Sequence, residues 1–225
     1  MGKNKPKAVV LLSGGMDSAV TLYIAKKRYD CHALIFDYGQ RSRKEVGSAK
    51  AVSRMSGSGH IVLRISLPWK GSSLLDRNVA IPREADMAKG MIPSTYVPAR
   101  NLIFLSYGVS YAEALGARAV FIGAHQLDYS NYPDCRGEFF DSFRETVERG
   151  TKRGVSGKSI RIITPIINYT KKDIILSGIS MGVSFALTWS CYVGGARPCG
   201  ECESCRLRAK GFKEAGVIDP LLRDR

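Results

Sequence analysis

Residues 7–18 read KAVVLLSGGMDS, and this stretch decides the fold. Its first half is a short run of aliphatic and β-branched residues, which predicts a buried strand. Two adjacent glycines then let the backbone turn tightly and turn its N–H groups outward. From residue 17 the run DSAVTLYIAKKRY has helical spacing, with its bases at the C-terminal end where the helix dipole favours them. Strand, glycine turn and helix make the first half of a βαβ unit, and the helix N-terminus suits a phosphate. The loop lacks the lysine and spacing of a Walker A motif and is not GxGxxG. Taken alone, it could be a plain strand–helix turn with Asp17 or Ser18 as a cap.

The rhythm continues outward. CHALIF (31–36), HIVLRI (60–65), AVFIG (119–123) and IRIIT (160–164) also predict strands, and SRKEVGSAKAVSRM (42–55) predicts a helix between the second and third. Alternation of this kind implies right-handed crossovers and an α/β fold: a Rossmann-like, five-stranded parallel sheet flanked by helices. Ligands of such sheets bind beyond the carboxyl ends of the strands. Residues 66–98 break the rhythm with four prolines and little periodicity, which predicts a lid or substrate loop. ARNLIFLSYGVSYAEALG (99–116) is a long helical pattern ending at Gly116, and 203–216 another ending at Gly216.

Composition narrows the class. At 225 residues the chain can bury one substantial core, and no apolar run reaches the roughly 20 residues of a membrane span. Residues 8–12 are too few for a signal-peptide core, so the expectation is a cytoplasmic protein with reduced thiols. With 34 Lys+Arg against 20 Asp+Glu the formal charge is +14. A nucleic-acid partner is one reading. The bases are scattered, however, as KKR (26–28), RSRK (41–44) and KK (171–172), which suits dispersed surface and one phosphate-bearing pocket. Lys171 and Lys172 could reach a phosphate, but they read first as a solvated helix face.

SGGMDS at 13–18 resembles the pyrophosphate loop, SGGxDS, of the ATP-pyrophosphatase family, whose members transfer AMP from ATP to an acceptor oxygen. The resemblance implies that Leu12, Ser13, Gly14, Gly15, Met16, Asp17, Ser18, Ala19 and Val20 form the ATP site. Within it Asp17 and Ser18 act on the pyrophosphate, and Asp17 helps hold Mg²⁺. Further motifs follow in order: FDYGQR (36–41), VPARNLIFLS (97–106), YPDCR (132–136) and TWSCY with PCGECESCRLRAKGF (188–212). Together they resemble the 7-cyano-7-deazaguanine synthases over about residues 8–220. What the resemblance implies is conversion of 7-carboxy-7-deazaguanine and ammonia to the nitrile, with ATP, in the pathway to queuosine and archaeosine. Family members are often homodimers, and the substrate is a small molecule, so direct tRNA binding is not expected. A tRNA-thiolating relative with a reactive cysteine is the alternative.

Candidate substrate contacts gather at three strand ends: Asp37, Tyr38 and Gln40; Tyr96, Arg100 and Asn101; Asp128, Tyr132, Asp134 and Arg136. Asp128 or Asp134 could accept from the N–H groups of a deazaguanine, Tyr96 or Tyr132 could stack on it, and Arg100 or Arg136 could meet a carboxylate or phosphate.

The sequence SCYVGGARPCGECESC (190–205) holds Cys191, Cys199, Cys202 and Cys205. Four thiolates at CxxC-type spacing, with glycines to wrap an ion, fit a closed tetrahedral Zn²⁺ site. An iron–sulfur cluster competes, since it too takes four cysteines. Adenylation needs no electrons, which favours structural zinc, one per chain. The expected organisation is therefore a nucleotide-binding body, 1–185, and a zinc-binding C-terminal subdomain, 186–225.

Overall fold

The structure, a computed structural model, describes residues 5–82, 91–126 and 132–222. All five expected strands are present: β1 (Lys7–Leu11), β2 (Asp30–Asp37), β3 (Gly59–Arg64), β4 (Ala119–Ile122) and β5 (Arg161–Ile163). They pair in parallel in the order β3-β2-β1-β4-β5. The chain first builds outward from β1 through β2 to β3, then crosses back to lay β4 on the other side. Strand order thus reverses between β1 and β4, which opens a crevice at their carboxyl ends.

Helices cover both faces: α1 (Met16–Lys26), α2 (Lys44–Met55), α3 (Arg100–Leu115), α4 (Gly137–Gly150), α5 (Lys152–Val155), α6 (Lys171–Ser180) and α7 (Glu203–Glu214). Side chains alternate across a strand. Ala8, Val10 and Leu12 therefore join one core with α1 and α6, while Val9 and Leu11 join a second core with α3 and α4. This two-sided burial explains why β1 reads as a continuous apolar run. Helix α4 had no strong sequence signal in the pattern above, yet Phe140, Phe143 and Val147 make it an amphipathic cover for the second core. Lys171 opens α6 behind a capping box, in which Thr170 Oγ1 accepts from the Asp173 amide and the Asp173 carboxylate accepts from the Thr170 amide.

The C-terminal segment is tied to the body in two ways. Phe212 of α7 enters the first core beside Phe185. Arg208, also on α7, is buried and donates twice to Asp219, at 2.7 and 2.9 Å, and to Thr188 Oγ1 and the Phe185 carbonyl. Removing one partner of such a buried pair leaves an uncompensated charge. Arg208→Ala is therefore expected to lower stability by about 3–5 kcal/mol, read as a drop in melting temperature against the unchanged chain.

Candidate active site and metal centre

The loop after β1 takes the shape its glycines require. Gly14 has φ +89°, and a Cβ there would lie 2.2 Å from the Glu45 carbonyl oxygen. Only glycine fits, because α2 packs directly against the loop. Ser18 Oγ donates to the Gly15 carbonyl (3.0 Å) and accepts from the Ser13 amide (3.2 Å), and the Ser13 and Ser18 hydroxyls lie 3.1 Å apart. The turn is thus laced internally, with its donors gathered at the start of α1. Gly123, just past β4, also makes a close approach: a Cβ there would meet the Asp17 carbonyl and the Ser18 amide nitrogen, each at 2.9 Å.

Asp17 is the electrostatic centre of this end of the cleft. Lys171 Nζ reaches both of its carboxylate oxygens, at 2.9 and 3.0 Å, and His125 Nε2 lies 3.3 Å from one of them. Lys171 Nζ is also 2.6 Å from His125 Nε2. Burial alone would raise the Asp17 pKa, but Lys171 and His125 together hold it well below the usual carboxylate range. Lys171 is itself buried, and it owes this to Gly211: a Cβ on that α7 residue would sit 2.6 Å from the Lys171 Cβ.

First turns of five helices face this cleft. Met16, Asp17 and Ser18 come from α1, Glu45 from α2, Arg100 and Asn101 from α3, Lys171 from α6, and Glu203 and Ser204 from α7. Helix N-termini carry partial positive charge, so the cleft as a whole favours a polyanion.

The far end of the cleft is aromatic and polar. Phe36 and Phe104 stack at 3.9 Å, Tyr38 packs on Phe104, and Tyr132 and Tyr192 complete the lining. Arg100 Nη1 donates to Tyr38 Oη at 3.3 Å. Burial pushes the Tyr132 phenol up to about 12, and its Oη is 2.6 Å from Thr95 Oγ1. Burial and the neighbouring Cys191 push the Glu45 carboxyl up to about 7 against the pull of Arg100.

The four cysteines of the C-terminal cluster place their sulfurs all within 4.8 Å of one another. Cys199 Sγ and Cys205 Sγ are 3.9 Å apart, close to the ~3.8 Å edge of a tetrahedron with metal–sulfur bonds of about 2.3 Å. That is far too long for a disulfide bond of about 2.05 Å. Backbone amides of Cys199 and Cys202 donate to the sulfurs of Cys191 and Cys199. Hydrogen bonds from Cys202 and Cys205 push the Cys191 thiol down, and the same contacts push Cys202 and Cys205 up, so the cluster favours one thiolate held by its neighbouring thiols. The set fits a single metal ion. It also abuts the cleft: the Trp189 amide donates to the Gly14 carbonyl at 2.9 Å, and the Trp189 indole donates to the Cys191 carbonyl at 3.0 Å. Lys44 Nζ lies 4.4 Å above the Trp189 ring.

The family model for "Queuosine biosynthesis protein QueC" matches residues 7–216. This chain belongs to the QueC family. It is 50% identical to the 7-cyano-7-deazaguanine synthase of Thermosynechococcus vestitus over 220 residues, covering 96% of this chain and 94% of that protein. It is 49% identical to the 7-cyano-7-deazaguanine synthase of Acetivibrio thermocellus over 217 residues, covering 96% of each. Among solved structures, the U34-tRNA thiolase NcsA from Methanococcus maripaludis with its [4Fe-4S] cluster aligns with TM-score 0.51 at 14% identity, covering 95% of this chain and 68% of that one. At that identity the likeness shows the fold alone.

Within this QueC-family fold the residues singled out from sequence separate into groups. Leu12, Ser13, Gly15, Met16, Asp17 and Ser18 line the cleft, and Gly14 shapes the loop from behind. Ala19 and Val20 are core residues of α1. Tyr38, Gln40, Arg100, Asn101 and Tyr132 line the cleft. Gln40 spends its amide on its own strand end, accepting from the Tyr38 amide and donating to the Phe36 carbonyl.

Asp37, Tyr96, Asp134 and Arg136 do not line the cleft. Asp37 faces Arg64 at 3.9 Å, and Arg136 faces Glu138 at 3.6 Å, both near solvent. Tyr96 Oη accepts from the Ala99 amide, bracing the entry to α3, and its ring leans on Tyr132. Asp134 is buried behind the cleft, where its carboxylate accepts from the Asn101 amide at 3.0 Å and its carbonyl from Asn101 Nδ2. It holds the first turn of α3, and so holds Arg100. Asp128 lies outside the described residues. Cys135 lines the cleft, but burial pushes its thiol up to about 11, which leaves it a poor nucleophile.

Lys171 corrects the sequence expectation: it is not a solvated surface base but a buried partner of Asp17, 154 residues away. Glu45 and His125 also line the cleft and carried no motif of their own, whereas Tyr192 and Glu203 line it from within the TWSCY and PCGECESCRLRAKGF motifs. The 66–98 segment contributes Leu74 to the lining, and Arg41 pins it through the carbonyls of Ser73, Arg77 and Val79. Residues 83–90 of that segment are outside the described set. Among the described residues, no helix is long and apolar enough to cross a membrane.

Proposed function

We propose that the protein converts 7-carboxy-7-deazaguanine and ammonia to 7-cyano-7-deazaguanine at the expense of ATP. The observation that carries this is a complete pyrophosphate loop at the topological switch point, with Lys171 bound to Asp17 inside it and an aromatic, Arg-bearing end opposite. Relatives that carry the synthase name and align over nearly the whole chain support it.

The chemistry follows from leaving groups. A substrate carboxylate oxygen bonds to the α-phosphorus of ATP as the bond to pyrophosphate breaks. Ammonia nitrogen then bonds to the carbonyl carbon, AMP leaves with the oxygen, and a proton is released. In a second round the amide oxygen bonds to another α-phosphorus and pyrophosphate leaves. The nitrogen loses its two protons as AMP departs with the oxygen, and the nitrile remains. Ser13, Ser18 and the backbone N–H groups at the start of α1 meet the leaving pyrophosphate. Lys171 supplies a fixed positive charge beside it. Asp17 is the carboxylate suited to a Mg²⁺ shared with the phosphates, as such ions are bound by one or two carboxylates plus substrate.

The cysteine set is assigned to structural zinc. Four sulfurs all within 4.8 Å surround one ion, whereas a polynuclear iron–sulfur cluster would hold its ligands farther apart. Residues 1–185 then carry the nucleotide chemistry and 186–225 the metal, although Trp189, Tyr192 and Glu203 of the second part also line the cleft. A cytoplasmic homodimer that takes ammonia and does not bind tRNA directly completes the proposal.

The test is product analysis. ATP, ammonium and 7-carboxy-7-deazaguanine should give the nitrile by mass, with two AMP and two pyrophosphates for each. No nitrile, with sulfur transferred to tRNA instead, would replace this function with a thiolase.

A further inference from the structure

The far end of the cleft contains polar groups with unspent hydrogen-bonding capacity. Glu45, on the first turn of α2, lines the cleft. Among the described residues, no hydrogen bond or ion pair engages its carboxylate. Arg100, on the first turn of α3, lines the same space, and among the described residues its guanidinium makes one hydrogen bond, to Tyr38 Oη. Ser42 Oγ is buried in the lining without a partner among the described residues. A protein that has already folded usually satisfies its buried polar groups, so those left over at a cleft are set for a ligand.

The two charged groups are complementary in what they can recognise. In its ionised form, which Arg100 favours, the Glu45 carboxylate only accepts hydrogen bonds, and the Arg100 guanidinium only donates. The ligand for this end must therefore show adjacent N–H donors on one edge and oxygen acceptors on another, carried on a flat ring that fits between Phe104, Tyr132 and Tyr192. A 2-amino-pyrimidin-4-one ring with a neighbouring carboxylate has that arrangement.

We propose that Glu45 and Arg100 read the deazaguanine: Glu45 accepts from the ring N–H and the exocyclic 2-amino group, and Arg100 donates to the ring carbonyl and the carboxylate beside it. This rests on the substrate assigned under the proposed function. It moves the acceptor role from Asp134, whose carboxylate is occupied by the Asn101 amide, to a residue on a different helix. Asp134 becomes a positioning residue for α3. The arrangement also orders the cleft. Glu45 lies just behind Gly14 of the loop, so a base held at Glu45 and Arg100 and a nucleotide held at the loop share one cleft.

The experiment compares 7-carboxy-7-deazaguanine with the analogue lacking the 2-amino group, in wild-type protein and in Glu45→Gln, by kcat/KM. The wild type should prefer the amino-bearing base by about 10- to 100-fold, the range for hydrogen bonds to a charged group. In Glu45→Gln that preference should fall to within about threefold of unity while the KM for ATP stays within about twofold. A Glu45→Gln protein that discriminates as well as the wild type overturns the proposal, as does one whose KM rises for ATP instead of the base, which would assign Glu45 to the ribose hydroxyls. Loss of discrimination in Glu203→Gln with none in Glu45→Gln overturns it too. If Glu45→Gln does not fold, Arg100→Lys carries the test: the KM for the base should rise about tenfold with the KM for ATP unchanged, and an unchanged KM for the base refutes it. Failure of the wild type to make nitrile from either base counts against the assigned function rather than against this division of labour.

Discussion

Asp17→Asn is expected to lower kcat for nitrile formation by about 10³-fold, at the upper end of what removing one preorganised electrostatic group costs. The substitution keeps the shape of the side chain and deletes its charge. Two things are lost together. The carboxylate suited to Mg²⁺ beside the pyrophosphate disappears, and Lys171, buried and 2.9 Å away, loses its counter-charge. Lys171→Met should also be strongly impaired, by about 10²-fold. Because Asp17 and Lys171 share one contact, the double variant should be little worse than Asp17→Asn alone. Steady-state kinetics at saturating Mg²⁺ would check all three. Full additivity would mean that the two act on separate steps, and an Asp17→Asn enzyme within tenfold of wild type would remove Asp17 from the chemistry.

The same pair sets a sign for the pH dependence. The native pKa of Asp17 is depressed by Lys171 and His125, outweighing burial, so its contribution to stability is present above its usual value of 3.8. That contribution fades only as the pH falls toward the depressed native value. Between pH 5 and 8 Asp17 therefore stays ionised, and a change in rate there does not come from its protonation.

How far the sequence reveals this site depends on how local each interaction is. The strand at 7–11, the glycine turn and the start of α1 are set by neighbours in the chain, and the motif at 13–18 reports them all. The cysteines are legible for the same reason, since ligands of one ion cluster in sequence. Lys171 was not legible. A Lys-Lys pair opening a helix looks like solvated surface, and only the packing of α6 on α7 at Gly211 turns its side chain inward. Glu45 lies in a helix rich in bases, where an acid ordinarily serves as a surface partner; the fold of α2 over Gly14 is what brings it to the cleft. Asp134 shows the opposite failure. Its motif, YPDC, is conspicuous, but a side-chain oxygen near a helix start has two possible duties, and here it accepts from α3. Pattern identified the residue types; long-range packing chose which of them face the ligand.

Metal removal should have the largest effect on structure, and the network around the cysteines predicts where. A structural zinc ion contributes roughly 10–16 kcal/mol in small peptides, comparable with the roughly 5–15 kcal/mol stability of a whole domain. Chelation, or Cys202→Ser, removes that from a segment with three glycines between residues 194 and 200. Helix α7 has other ties, because Phe212 sits in the first core and Arg208 binds Asp219, Thr188 and the Phe185 carbonyl. It should remain docked. The freed part should be about 189–202, and with it goes the Trp189 amide that donates to the Gly14 carbonyl. The expected result is loss of amide protection at 189–202 and at 13–16, retained protection in α7, and loss of nearly all adenylating activity. Hydrogen exchange on the zinc-loaded and chelated full-length protein would measure it, with activity recovered on adding zinc back. Unchanged exchange at 13–16 alongside loss at 189–202 would uncouple the metal centre from the nucleotide loop. Loss spread over α7 would mean that the Arg208 and Phe212 contacts hold less than their burial implies. On the proposed function the cysteines do no chemistry; through the metal they hold in place the Trp189 amide that donates to the loop at Gly14.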